Sequence, residues 1–133
     1  MTARLMILNG PNLNLLGSRE PHIYGTTTLA AIKASCEEFA AAAGASLSFH
    51  QSNHEGALVD LIQQAREEAD ALIINPAAHS FTSIAMFDAF KIFAGPTIEV
   101  HISNIRRKID KPFHVKSLRT IRGAGYRLVP DGR

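Results

Sequence analysis

Leu5-Met6-Ile7-Leu8-Asn9-Gly10-Pro11 reads as a short strand with an abrupt end: four apolar residues in a row, then an amide, a glycine and a proline that turn the chain. A continuous apolar run, rather than an alternating one, marks a strand buried on both faces, the habit of parallel sheets. Downstream, Thr27 or Thr28 can cap a helix whose apolar line is Leu29, Ile32, Cys36, Phe39 and Ala43, stopped by Gly44. Ala45–His50 then alternates as a second strand. Ser52-Asn53-His54-Glu55 has capping-box spacing, and Leu58, Leu61, Ile62, Ala65 and Ala69 follow at helical spacing. Ala71–Ile74, closed by Asn75-Pro76, repeats the opening pattern. Thr82 or Ser83 opens a third helix to about Phe93, Gly95-Pro96 ends it, and Thr97–Ser103 is a fourth strand. Strand and helix in strict alternation predict right-handed crossovers and an α/β fold, a flavodoxin-like parallel sheet sandwiched by helices, over residues 1–104.

Ligands of such sheets bind beyond the carboxyl ends of the strands. That edge collects Asn9–Asn14, His50–His54, Asn75–His79 and Glu99–Asn104, so chemistry is expected there. The third helix is apolar nearly all round, with only Asp88 and Lys91 polar between Ile84 and Phe93. It is either overlain by the C-terminal segment or, the reading favoured here, part of a subunit interface.

The 133 residues suit one domain, and 46% apolar with 20% charged residues excludes a disordered chain. The formal charge of +2 is a sum of unlike parts. Residues 1–104 hold five basic and ten acidic side chains, whereas residues 105–133 hold nine basic and two acidic ones. No apolar run is long enough to span a membrane, and Asn9, Asn12 and Asn14 interrupt the first one too early for a signal segment. The single Cys36 cannot form an internal disulfide, which favours a reducing compartment and a soluble, cytoplasmic protein. His50 and His54 are four apart but straddle a strand end and a cap, and no Cys or carboxylate completes a zinc site with them. No metal is expected.

Glycines at 17 and 25 bracket an exposed-looking stretch containing Arg19 and Tyr24, which suits a mobile lid. A guanidinium beside a phenol favours the phenolate, although on these residues alone an ordinary surface loop is the better account. A wider pattern goes further. Ile7–Gly17, Arg19-Glu20-Pro21 and Tyr24-Gly25 resemble the opening of type II 3-dehydroquinate dehydratases. Ser52-Asn53-His54-Glu55-Gly56, Ile74-Asn75-Pro76, Thr82-Ser83 and Ile98–Asn104 continue the resemblance in order. It implies a flavodoxin-like, typically dodecameric enzyme without cofactor or metal that removes water from 3-dehydroquinate.

By that resemblance, Tyr24 is the base that takes the proton alpha to the ketone. Arg19 holds Tyr24 partly ionised and complements the enolate, and Asn12 anchors a water near the enolate oxygen. His101 gives a proton to the leaving hydroxyl, with Glu99 behind it as orienter. Asn75, Ile102 and Ser103 bind substrate, and Asp88 reaches the site from a neighbouring subunit. Two departures stand out. Phe81 replaces a histidine, with His79 two residues earlier as a candidate substrate contact, and Pro112 replaces an expected arginine. Losing both would weaken the grip on substrate by several kcal/mol and implies impaired activity.

Residues 105–133 form an atypical basic segment, expected to be an appendage rather than an independent domain. Leu118–Leu128 reads as a β-hairpin with glycines at its turn and arginines outward. Residues 100–133 resemble the C-terminal end of a response-regulator winged-helix domain, which implies weak, salt-sensitive nucleic-acid binding. A solvated basic hairpin covering the sheet edge is the plainer alternative. Two further readings of the whole chain are an inactive dehydroquinase-like scaffold and a fusion that presents a DNA-binding fragment.

Overall fold

A computed structural model describes residues 1–100 and two strands within 118–128; residues 101–117, 122–124 and 129–133 lie outside the description. Strand β1 (Arg4–Asn9) is flanked by β2 (Ser46–Gln51) and β3 (Ala71–Asn75), with β4 (Thr97–Glu99) beyond β3. All three pairings are parallel. The connecting helices are the one-turn α1 (Pro21–Tyr24), α2 (Leu29–Ala42), α3 (Glu55–Glu68) and α4 (Ile84–Phe90). The expected α/β architecture is therefore present. The chain divides into two compact units, Met1–Glu99 and Val100–Arg133. In the second, β5 (Leu118–Ile121) pairs antiparallel with β6 (Gly125–Leu128), Arg119 opposite Arg127, which is the expected hairpin.

Register explains which side chains are core. Met6 and Leu8 stand level with Leu72 and Ile74, and all four are wholly buried beneath Leu58, Ile62 and Ala65 of α3 and Met86 and Ala89 of α4. Two of the expected caps form. Thr28 accepts from the Ala31 amide at 3.1 Å and Ser83 from the Met86 amide at 3.0 Å, each satisfying an amide that the first helical turn leaves unpaired.

The structure corrects four expectations. The strands are not sealed on both faces: Leu5, Ile7 and Ile73 are only half-buried and Ile98 is 57% exposed. Among the described residues, α2 covers that face and packs against β2, leaving the β4 side open. The capping box does not form, because α3 starts after His54, and Ser52 Oγ instead accepts from the His54 amide at 3.0 Å. The stretch between Gly17 and Gly25 is not all loop, since Pro21 opens α1 with its preset φ. Finally, α4 is shorter than expected, and its outer face is open among the described residues, with Ile84 83% and Phe87 53% exposed. Within the described residues, the fourth strand ends at Glu99.

Arg4 fastens the start of β1 to the turn before β3. Its amide reaches Asp70 Oδ2 at 2.8 Å, its Nη2 reaches Oδ1 at 2.9 Å, and its Nη1 reaches the Glu67 carbonyl at 2.8 Å. Hydrogen bonds from the Arg4 side chain and then its backbone hold the Asp70 carboxyl below its usual range. The folded state therefore binds fewer protons than the unfolded chain in acid. The contribution is present above the unfolded pKa and is lost as pH falls through the lower folded one. Thermal melts of Asp70→Asn should show a shallower loss of stability between neutral pH and acid than the parent; parallel curves would exclude this linkage.

Candidate active site

The carboxyl edge of the sheet is built from three loops. Asn9, Gln51 and Asn75 end their strands in one row, Asn9 level with both others. Gly10 then passes directly under the loop after β3. Its amide donates to the Asn75 carbonyl at 2.8 Å. A Cβ there would sit 2.4 Å from the Pro76 carbonyl oxygen, so only glycine allows the approach.

Past it the chain turns left-handed at Asn12, φ 66°, a conformation Asn tolerates better than most residues. The Asn12 amide donates to Asn53 Oδ1 at 2.9 Å. Gln51 Nε2 lies 3.2 Å from the Gly10 carbonyl, 3.1 Å from Asn53 Oδ1 and 3.4 Å from Asn14 Oδ1. Asn12 thus has its backbone fastened while the residue itself is exposed, the condition for a side-chain amide that serves a ligand or a water.

Arg19 and Tyr24 meet across α1. The guanidinium carbon lies 5.6 Å from the Tyr24 ring centroid, within cation–π range, and Nε is 3.5 Å from Glu20 Oε2. The turn is entered at Glu20 with φ 40° and left at Gly25 with φ 83°. Asn12, Glu20 and Ala77 are the non-glycine residues of positive φ among those described, and all follow β1 or β3 on this edge. Such strain gathers at functional sites, where the surrounding structure sustains it.

The third loop carries a cleft. Asn75 Oδ1 accepts from the Ala77 amide at 3.4 Å, Ala77 turns at φ 52°, and a 3-10 turn spans Ala77–Phe81. Ser80 Oγ donates to Glu99 Oε1 at 2.9 Å. These two, with His79, Ser83, Met86 and Phe87, line a small open cleft. The Nε2 atoms of His79 and His50 are enclosed without a hydrogen-bond partner among the described residues. No group of three or more His, Cys, Asp or Glu that could hold a metal occurs among those residues.

Of the expected pairs, Arg19 and Tyr24 are adjacent; Glu99 shares a cleft with His79, and Asn12 follows Gly10, whose amide bonds the Asn75 carbonyl. Asp88 is not among them. It lies exposed on the outer face of α4, 3.6 Å from Lys91 Nζ. His101, Ile102, Ser103 and Pro112 lie outside the described residues, as does the Phe81 side chain. Sequence reasoning placed Gln51 and Asn53 on this edge without giving either a role, and it did not single out Ser80. The available signal was position alone, since each ends or follows a strand on the carboxyl edge.

The family model described as dehydroquinase class II matches residues 3–126. The chain belongs to that family. A 3-dehydroquinate dehydratase of Bartonella tribocorum is 55% identical over 108 residues, covering 81% of this chain and 72% of the relative. The catabolic 3-dehydroquinase 1 of Aspergillus fumigatus is 53% identical over 108 residues, again covering 81% and 72%. The crystal structure of the type II dehydroquinase from Propionibacterium acnes superposes with a TM-score of 0.75 at 42% identity, covering 80% of this chain and 74% of that one. The dehydroquinase match extends to residue 126, across the segment that resembles a winged helix. Among the described residues of this dehydroquinase, no helix is long and apolar enough to cross a membrane.

Proposed function

We propose that this dehydroquinase is a hydro-lyase that converts 3-dehydroquinate to 3-dehydroshikimate in the shikimate pathway, by cofactor-free elimination of water through an enolate. The observation that carries the mechanism is the Arg19 guanidinium 5.6 Å from the Tyr24 ring centroid, beside the amide-rich loop after β1. A phenol oxygen can serve as the base for a proton alpha to a ketone, and a guanidinium next to it offers positive charge to the anion that forms on the substrate. Tyr24 takes that proton. The C–H electron pair becomes a carbon–carbon double bond as the carbonyl π pair moves onto the ketone oxygen, where Arg19 and a water held by Asn12 meet the new charge. The enolate then collapses, the C–O bond to the leaving hydroxyl breaks, and His101 supplies the proton that makes it water. Glu99 orients His101. Asn75, Ile102, Ser103 and His79 bind substrate.

Asp88 serves a neighbouring subunit, which is consistent with its place beside Ile84 and Phe87 on the open face of α4. The assembly is a cytoplasmic homododecamer. The test is direct. Purified protein given 3-dehydroquinate should produce the ultraviolet absorbance of a conjugated enone, and light scattering should give a large multiple of the 14.5 kDa chain mass. A folded sample without turnover at saturating substrate would end the catalytic reading, and a monomer would end the assembly.

A further inference from the structure

We propose that Ser80 is a positioning residue of this site, holding the Glu99 carboxylate in one orientation through the bond from its hydroxyl to Oε1. The inference rests on the reading of Glu99 as the group behind His101 and adds a member to it. The two side chains are 19 residues apart in sequence and 2.9 Å apart in space. Both ends of the bond are fixed by backbone. Glu99 stands level with Ile74 on the neighbouring strand, and Ile74 is wholly buried. Ser80 sits on the 3-10 turn Ala77–Phe81, entered through the left-handed Ala77.

A carboxylate offers acceptors only, so the hydroxyl must be the donor and the sense of the bond is unambiguous. Met86 and Phe87 line the same cleft, and apolar neighbours leave a hydrogen bond less open to competition from water. With Oε1 engaged, rotation about the terminal torsion of Glu99 is restricted, and Oε2 is left for a second donor. An unheld carboxylate would spread over that broad, roughly twofold torsion. Its partner would then lose a defined direction for proton transfer.

The test compares Ser80→Ala, Ser80→Thr, Glu99→Gln and the Ser80→Ala/Glu99→Gln double variant. With 3-dehydroquinate, Ser80→Ala should lower kcat roughly tenfold with little change in KM, and Ser80→Thr should restore most of it. In the Glu99→Gln background Ser80→Ala should cost nothing further. An unchanged kcat in Ser80→Ala, or a full additional loss in the double variant, overturns the proposal. A second measurement does not depend on turnover. The side-chain carboxyl 13C resonance of Glu99, identified by its disappearance in Glu99→Gln, should move in Ser80→Ala and return in Ser80→Thr. A resonance that stays put overturns the proposal. Absence of turnover in the parent chain would count against the reaction instead, and the resonance would then decide Ser80 by itself.

Discussion

Tyr24→Phe lowers kcat for 3-dehydroquinate by about 10³-fold, near the middle of the range for removing a positioned general base. The variant keeps the ring and loses only the oxygen. α1 is held by the Gly25 amide donating to the Pro21 carbonyl at 2.9 Å and by the Tyr24 amide donating to Glu20 at 3.0 Å, and neither bond uses the phenol. The fold should therefore survive, and a thermal melt close to that of the parent is the control. Arg19→Ala removes the cation 5.6 Å from the ring centroid but leaves the oxygen, so its loss should be smaller, about tenfold to a hundredfold. Steady-state rates of enone formation check both. A Tyr24→Phe protein within tenfold of the parent would remove Tyr24 as the base.

Gly10→Ala should be strongly destabilising. The added carbon meets the Pro76 carbonyl oxygen at 2.4 Å and its carbon at 2.7 Å. Both are backbone atoms, so no side chain can swing aside. Relief requires parting the ends of β1 and β3, and with them the 2.8 Å bond from the Gly10 amide to Asn75. Overpacking without an escape route costs about 3 kcal/mol or more. Gly56→Ala is the counterpart, since a Cβ there meets nothing within 4 Å and the residue lies in α3. That change should be neutral or stabilising by up to about 1 kcal/mol. Urea unfolding of the two variants separates the effects, and similar midpoints would show that the Gly10 approach is not tight.

The strands and helices were legible because local signals and tertiary demand agree. The apolar run Leu5–Leu8 becomes a central strand, and Thr28 and Ser83 cap where a hydroxyl can reach an amide three residues on. The Ser52 capping box failed for a reason sequence spacing does not contain. The Ser52 amide is drawn to the Asn9 carbonyl at 3.0 Å, so Ser52 continues the sheet edge and its hydroxyl folds onto His54. The helix then begins two residues later.

The site was legible only in part for the same reason. Tyr24 and Arg19 are close in sequence, and a sequence can display such a pair. Gln51 and Gly10 are 41 residues apart, as are Asn12 and Asn53, and periodicity marks Gln51 as no more than a strand end. Ser80 looks like an ordinary turn serine until β4 arrives with Glu99. The apolar outer face of α4 was visible as composition, because a helix apolar nearly all round is expected to bury more than its sheet-facing side.

The strand order β2-β1-β3-β4 also bears on how the molecule is made. β1 is made before both of its partners and ends as an inner strand of the sheet, yet β2 follows only after α1 and α2, and β3 only after α3 as well. Through that interval the Leu5–Leu8 segment has both hydrogen-bonding edges unmatched, a state in which a nascent apolar strand can pair with the wrong chain. Parallel pairing across helices is intrinsically slow because loop closure precedes its reward. Chaperone dependence during synthesis should accordingly end only once β3 has emerged.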